Sequence, residues 1–213
     1  MKLFNYFRSS ASFRVRIALE LKGLPYEYAA VHLVKGEHKK DEYAAVSPTG
    51  LVPTLVTDSG EALEQSMAII EWLDETKPQP PLLPRDPLGR AKVRALSQLI
   101  ACEIHPLNNL RVLKYLVREL KVEEEAKNDW YRHWVRTGLE AYERELARLP
   151  ESKFSYGDTP TMADCCLVPQ IFNGRRVNTP EDGLPRTMAV FNACMEHPAF
   201  QKAQPSSCPD FEK

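Results

Sequence analysis

The chain has 213 residues, and its 28 basic and 29 acidic side chains leave a formal net charge of -1 at pH 7. That near-balance supplies no global field to recruit nucleic acid or an anionic membrane. Apolar runs stay short of the about 18 residues that cross a bilayer, and five cysteines without Cys-x-x-Cys or Cys/His ligand spacing exclude a disulfide frame and a zinc site. The expectation is a cytoplasmic protein with reduced thiols, no metal, and length enough for one large or two small cores.

Leu3-Phe4-Asn5-Tyr6-Phe7 is apolar and aromatic enough for a buried strand, and Phe13, Ile17, Ala18 and Leu21 then recur at helical spacing. Ser10 or Ser12 is placed to cap that helix, and Gly23 with Pro25 to stop it. Between strand and helix lies Arg8-Ser9-Ser10-Ala11-Ser12. The first N–H groups of a helix lack internal partners and the aligned peptide dipoles add partial positive charge there. This turn therefore suits an anion, with the Ser9 and Ser10 hydroxyls as further donors. A plain serine-rich helix cap is the other reading of the same residues. No sulfur stands in the turn, which excludes dithiol redox chemistry there and leaves a place able to stabilise a thiolate brought from outside.

Tyr26 to Val31 reads as a second strand, joined to the first by a short right-handed crossover. A Lys-rich passage from Lys35 to Glu42 leads to Ser47-Pro48-Thr49-Gly50-Leu51-Val52-Pro53 and a third strand. Thr57 to Glu61 is a hairpin turn into a fourth, Ala62-Leu63-Glu64. Ser66 is placed to cap the next helix, which carries Ile69, Ile70 and Leu73 and ends before Pro78. The order βαβ then ββα is that of a thioredoxin-like domain, expected over residues 1–78. Pro53 stands where that fold holds a cis-proline: cis would turn the Val52 backbone outward to pair with a bound peptide, trans would merely open an edge strand.

From Lys77 to Pro87 five of eleven residues are proline, so residues 79–87 read as a linker. Residues 88–213 are expected to form a helical bundle, giving the fold class α/β plus all-α. Asp86-Pro87 opens a helix with Val93, Leu96, Leu99 and Ile100 on one face, and Pro106 must kink or interrupt it. Trp130, Trp134, Leu139, Tyr142 and Leu146 form a core stripe on a second long helix. Thr161-Met162-Ala163-Asp164 is a capping box, Cys165 and Cys166 are packing residues, and the Pro-rich tail after Phe200 reads as a loose wrap.

A thioredoxin-like domain without cysteines followed by an all-helical domain is the plan of the glutathione transferases. Ser9-Ser10-Ala11-Ser12-Phe13-Arg14-Val15-Arg16 resembles the zeta-class signature Ser-Ser-Cys-x-x-Arg, with Ala11 in place of its cysteine. Val52-Pro53, Gln65-Ser66, His105-Pro106-Leu107-Asn108-Asn109, Thr161 to Asp164 and Val168-Pro169-Gln170 match the same pattern. The resemblance implies a homodimer that uses glutathione as cofactor to isomerise a small dicarboxylic keto acid, maleylacetoacetate first and maleylpyruvate as the alternative. It also implies that the sulfur missing at Ala11 is dispensable for isomerisation. A conjugating transferase and a noncatalytic glutathione-binding module are the rival readings. The arginines speak against the apolar acceptor pocket of the first, and the presence of Ser9, Gln65 and Ser66 against the second.

Position by position, the resemblance makes Ser9 the hydroxyl donor to the glutathione sulfur, supported by Ser10. Gln65 and Ser66 become the clamp on the γ-glutamyl carboxylate, Val52 the partner of the cysteinyl backbone and His38 a contact to the glycine end. Ser12, Arg14, His105, Asn109 and Arg111 complete the cofactor-binding set. Arg8 and Arg176, with Arg111, are the cations for the carboxylates of the substrate, since a guanidinium can grip a carboxylate in bidentate fashion. Each arginine taken alone reads first as surface charge, and the motif matches are what raise it to a candidate.

Overall fold

The computed structural model describes residues 1–212. They divide into two compact units, one made of residues 1–82 with residues from Met195 onward, the other of Leu83–Cys194. The chain from Met195 thus packs with the first unit, where the sequence pattern placed it with the helical domain.

The first unit holds a four-stranded sheet in the order β2-β1-β3-β4, with β1 at Lys2–Asn5, β2 at Glu27–Ala30, β3 at Thr54–Val56 and β4 at Ala62–Glu64. β2 runs parallel to β1, while β3 pairs antiparallel with both β1 and β4. This is the thioredoxin-like arrangement, with β2 a residue shorter at each end than the apolar run. Helix α1, Ser10–Leu21, packs on α3, Ser66–Thr76, and Phe13, Ile17, Ile69, Ile70 and Leu73 are buried with Leu3 and Leu55 of the sheet. Lys22 ends α1, and Gly23 follows at φ 61°, a left-handed turn that favours glycine. The fully buried Lys22 ammonium donates to Asp74 Oδ1 at 2.9 Å and to the Lys77 and Pro80 carbonyls at 2.8 Å, tying the ends of α1 and α3 together. The Lys-rich passage, to which the sequence pattern assigned no element, forms a 3-10 turn at Glu37–Lys39 and leads into a short helix α2, Asp41–Ala44.

Helix α4, Pro87–Gln98, starts as its sequence requires, Asp86 Oδ1 accepting from Gly89 N at 2.7 Å. It continues as a π-helical segment, Leu99–Ile104, and Pro106 then sits in a 3-10 turn, His105–Asn108, that ends the run. Helix α5, Leu110–Arg118, begins anew with Asn109 as its cap. Helix α6, Glu124–Ala147, buries Tyr131, Val135, Leu139, Tyr142 and Leu146. Trp130 and Trp134 therefore flank the core instead of forming it, one position off the buried stripe, and Trp130 Nε1 donates to the Leu107 carbonyl at 2.9 Å.

Helix α7, Met162–Arg175, is buried over most of its circumference, Cys165 and Cys166 included. Its capping box is formed: Asp164 Oδ2 accepts from Thr161 N at 2.7 Å and Thr161 Oγ1 at 2.9 Å, and Oδ1 from Ser155 N at 2.8 Å. Burial pushes the Asp164 carboxyl above its ordinary range, against those donors. Helix α8 covers Pro185–Glu196 and α9 Pro198–Ala203. Among the described residues no helix is long and apolar enough to cross a membrane.

Candidate active site

The strand-to-helix turn is built differently from its sequence pattern in one respect. Ser9, not Ser10 or Ser12, is the N-cap of α1: it has extended φ and ψ, and its Oγ accepts from Ser12 N at 3.2 Å. Ser10 is the first helical residue and is buried, and Ser12 is wholly inside the fold, contributing its N–H to Ser9. With the oxygen occupied as acceptor, the Ser9 hydroxyl proton is the group left to point at an anion, as a donor beside a helix terminus. Ser9 N closes the turn on Tyr6 O at 3.0 Å. Arg8 is exposed, and its charge opposes the upward push that burial gives the Tyr6 phenol.

The second helix start differs again. Gln65, not Ser66, occupies the N-cap position of α3, at φ 67° and without a side-chain capping bond. Ser66 is the first helical residue, and the buried Arg14 donates Nη1 to its Oγ at 3.3 Å. Arg14 of the serine-rich motif thereby braces the other helix start, a cation behind a site suited to a carboxylate.

Two loops complete this side of the first unit. The Val52–Pro53 bond is cis. The loop before it is pinned by Glu64, which accepts from Ser47 Oγ at 2.5 Å and Thr49 Oγ1 at 2.6 Å, while Tyr43 Oη donates to Leu51 O at 2.5 Å. Burial raises the Glu64 carboxyl, but the Ser47 and Thr49 donors outweigh it and the net direction is down. His38 lies half-buried on the 3-10 turn. A Cβ on Gly50, at φ 62°, would come within 3.3 Å of the His38 carbonyl, so glycine there lets the His38 and Val52 loops meet. Arg8, Ser9, Ser10, Ser12, Arg14, His38, Val52, Gln65 and Ser66 all belong to the first unit.

The remaining candidates belong to the helical unit. Asn109 Oδ1 accepts from Arg111 N at 3.1 Å as the cap of α5, and its Nδ2 lies 3.4 Å from His105 Nε2. Arg111 is exposed on the first turn of that helix. Arg176 caps the C-terminus of α7, exposed, with its charge acting on the buried Tyr131 phenol.

Sequence reasoning missed the supports: Arg16, Glu64 and the C-terminal segment. The last was read as a loose wrap, and the structure corrects this. Phe7 N donates to Asp210 Oδ2 at 3.2 Å, Tyr28 Oη donates to Asp210 Oδ1, and Glu212 takes His32 Nε2 at 3.1 Å and Lys35 Nζ at 2.6 Å. The acidic residues Asp210 and Glu212 after the last helix were the available signal.

The model of the glutathione S-transferase N-terminal domain matches residues 8–76. A maleylpyruvate isomerase of a Ralstonia species is 50% identical over 211 residues, 99% of each chain. The chain belongs to the glutathione S-transferase family. A holo structure of maleylpyruvate isomerase, described as a bacterial zeta-class member, superposes with a TM-score of 0.97 at 49% identity over 100% of both chains. A maleylacetoacetate isomerase structure from Anaeromyxobacter dehalogenans with bound glutathione gives a TM-score of 0.89 at 41% identity, covering 99% of this chain and 97% of that one. Likeness of this extent puts the chain on the zeta-class branch with the isomerases of maleyl keto acids.

Proposed function

We propose that the protein is a glutathione-dependent isomerase converting a cis maleyl keto acid into its trans fumaryl isomer. The observation that carries this reading is the start of α1: a thioredoxin-like strand-turn-helix with a hydroxyl at the cap and no thiol, in a chain alike over its length to such isomerases. The residues fit glutathione. The α3 start has a helix dipole, no side-chain cap and Arg14 behind it, which suits the γ-glutamyl carboxylate on Gln65 and Ser66. His38 and the Val52 backbone then serve the rest of the tripeptide.

When bound, glutathione supplies a thiolate able to add to a conjugated double bond, permit rotation and leave. The chain has to keep that sulfur ionised, since a free thiol of pKa about 8.5 is only a few per cent thiolate at neutral pH. Lowering it by about two units takes roughly 2.7 kcal/mol, within reach of the Ser9 hydroxyl together with the positive end of α1. Arg8, next to Ser9 in the chain, is the first unit's cation for a substrate carboxylate or the enolate oxygen, and Arg111 and Arg176 are the helical unit's own candidates, each judged by its mutation.

Turnover of maleylacetoacetate and maleylpyruvate, each with and without glutathione, tests the reading. Loss of rate in Ser9→Ala exceeding loss of glutathione affinity is expected, because a donor aimed at sulfur matters most when charge sits there. Rates that do not depend on glutathione would sink it. The identity to the Ralstonia enzyme supports maleylpyruvate as the second substrate reading beside maleylacetoacetate. The acids differ by one methylene, worth about 1 to 3 kcal/mol, so both are expected to turn over. Arg111→Ala is expected to lower kcat/KM for both and narrow their ratio, and Arg176→Ala to harm both about equally. We further propose a homodimer, checked by sedimentation.

A further inference from the structure

The turn that delivers Ser9 lies outside the sheet, because β1 ends at Asn5. Backbone groups beyond the ladder need other partners when they are buried, and at Phe7, which is 2% exposed, both are taken by distant side chains. Its carbonyl accepts from Arg16 Nη2 at 3.1 Å, and its N–H donates to Asp210 Oδ2 at 3.2 Å. Arg16 is 1% exposed and is already engaged with Ala203 O at 2.9 Å, Asn5 Oδ1 at 3.0 Å and Tyr6 O at 3.4 Å. Tyr6 O is the same atom that closes the turn with Ser9 N.

Three further contacts tie the C-terminal segment to this place. The Phe211 ring meets the Phe7 ring edge-on at 5.6 Å. Cys208 is buried in one cluster with Tyr6 and Phe7, on which Tyr28, Leu33 and Val52 pack. Tyr28 Oη donates to the second oxygen of Asp210, orienting the carboxylate from β2. The segment thus reaches the backbone on which Ser9 depends and the residue beside the cis-proline, all within the first unit.

We propose that Asp210 is a positioning residue for Ser9: by holding the Phe7 N–H it fixes the Tyr6–Ser9 turn, and the C-terminal segment thereby governs how well the start of α1 stabilises a thiolate. Asp210 does this through the backbone and touches neither sulfur nor substrate. The inference rests on the reading that Ser9 serves the glutathione sulfur.

The ultraviolet thiolate band of bound glutathione, titrated against pH, tests it in wild type, Ser9→Ala, Asp210→Ala and Asp210→Asn, at a temperature where each is folded. Asp210→Ala is expected to raise the thiol pKa by about one unit, cutting the thiolate fraction at lower pH about tenfold, and to lower kcat by a similar factor with KM for glutathione within about twofold. Asp210→Asn keeps an oxygen acceptor for Phe7 N–H and is expected to restore the wild-type titration. In the protein without glutathione, Asp210→Ala should speed amide hydrogen exchange across residues 7–10. If Asp210→Ala does not fold, Phe211→Ala at a 40% exposed position serves in its place, with a smaller rise in the same direction. A raised pKa in Ser9→Ala but an unchanged one in Asp210→Ala, or in Phe211→Ala where that variant replaces it, overturns this proposal alone. An unchanged pKa in Ser9→Ala overturns the functional reading and this inference with it.

Discussion

The starts of α3 and α7 present the same backbone problem and solve it in opposite ways. At α7 the third helical residue is Asp164, whose carboxylate returns to Thr161 and also holds Ser155 N. The start there is closed by an internal carboxyl group. At α3 the corresponding third position is Ala68, the cap residue Gln65 makes no side-chain capping bond, and the cation Arg14 donates to Ser66 Oγ. A positive end without a side-chain cap, backed by a cation, suits an external carboxylate. A helix start that carries its own N3 acid is architecture, and one that lacks it is a candidate for binding.

Breaking the closed start has the largest expected effect. Asp164→Ala strands Thr161 N and Ser155 N in the interior, and a loss of about 2 to 4 kcal/mol is expected in urea unfolding. Glutathione affinity measured on the folded fraction is expected to stay within about twofold of wild type. An affinity that collapses along with stability would mean that the two starts are not independent.

Turning the open start into a closed one is the sharper test. Ala68 is exposed, and Ala68→Asp places at α3 the acid that α7 owns. Calorimetry is expected to give about tenfold weaker glutathione binding, since the new carboxylate competes for the same N–H groups. Without ligand the variant should gain roughly 0.5 kcal/mol of stability. Undiminished binding would remove the carboxylate clamp from α3.

The smallest change trims a single hydroxyl. Ser66→Ala removes the acceptor of Arg14 Nη1 and, on the proposed assignment, one donor to the ligand, and a three- to tenfold loss of affinity is expected, about 1 kcal/mol. The thiol pKa of bound glutathione should not move, because the proposed clamp and the proposed sulfur site are assigned to different helix starts. A shifted pKa would argue that Arg14, which joins the α1 motif to Ser66, couples the two.

The sequence announced both starts and misassigned the residues at each. Serines crowd the α1 turn, and the pattern pointed to Ser10 or Ser12 as the cap, whereas the choice of Ser9 depends on where β1 stops and where Tyr6 O closes the turn. At α3 a serine is the preferred cap by local chemistry, yet Gln65 at positive φ takes the position because β4 delivers the chain there. The tryptophans of α6 mislead for a similar reason: large aromatics score as core, but their neighbours Tyr131 and Val135 face inward.

By itself the sequence determined the βαβ then ββα order of the sheet-bearing part, its division from a helical part, the caps at Asp86 and Thr161, and the serine turn without a thiol. Periodicity, breakers and capping are interactions among residues a few positions apart, so they are written locally. Only the tertiary structure decided which hydroxyl faces outward, that Arg14 braces Ser66 across 52 positions, that Arg16 reaches Ala203 across 187, and that Asp210 holds Phe7 across 203. Such pairings join groups far apart in the chain and follow no period. They exist only once the sheet and helices have packed, and they hold the candidate site in place.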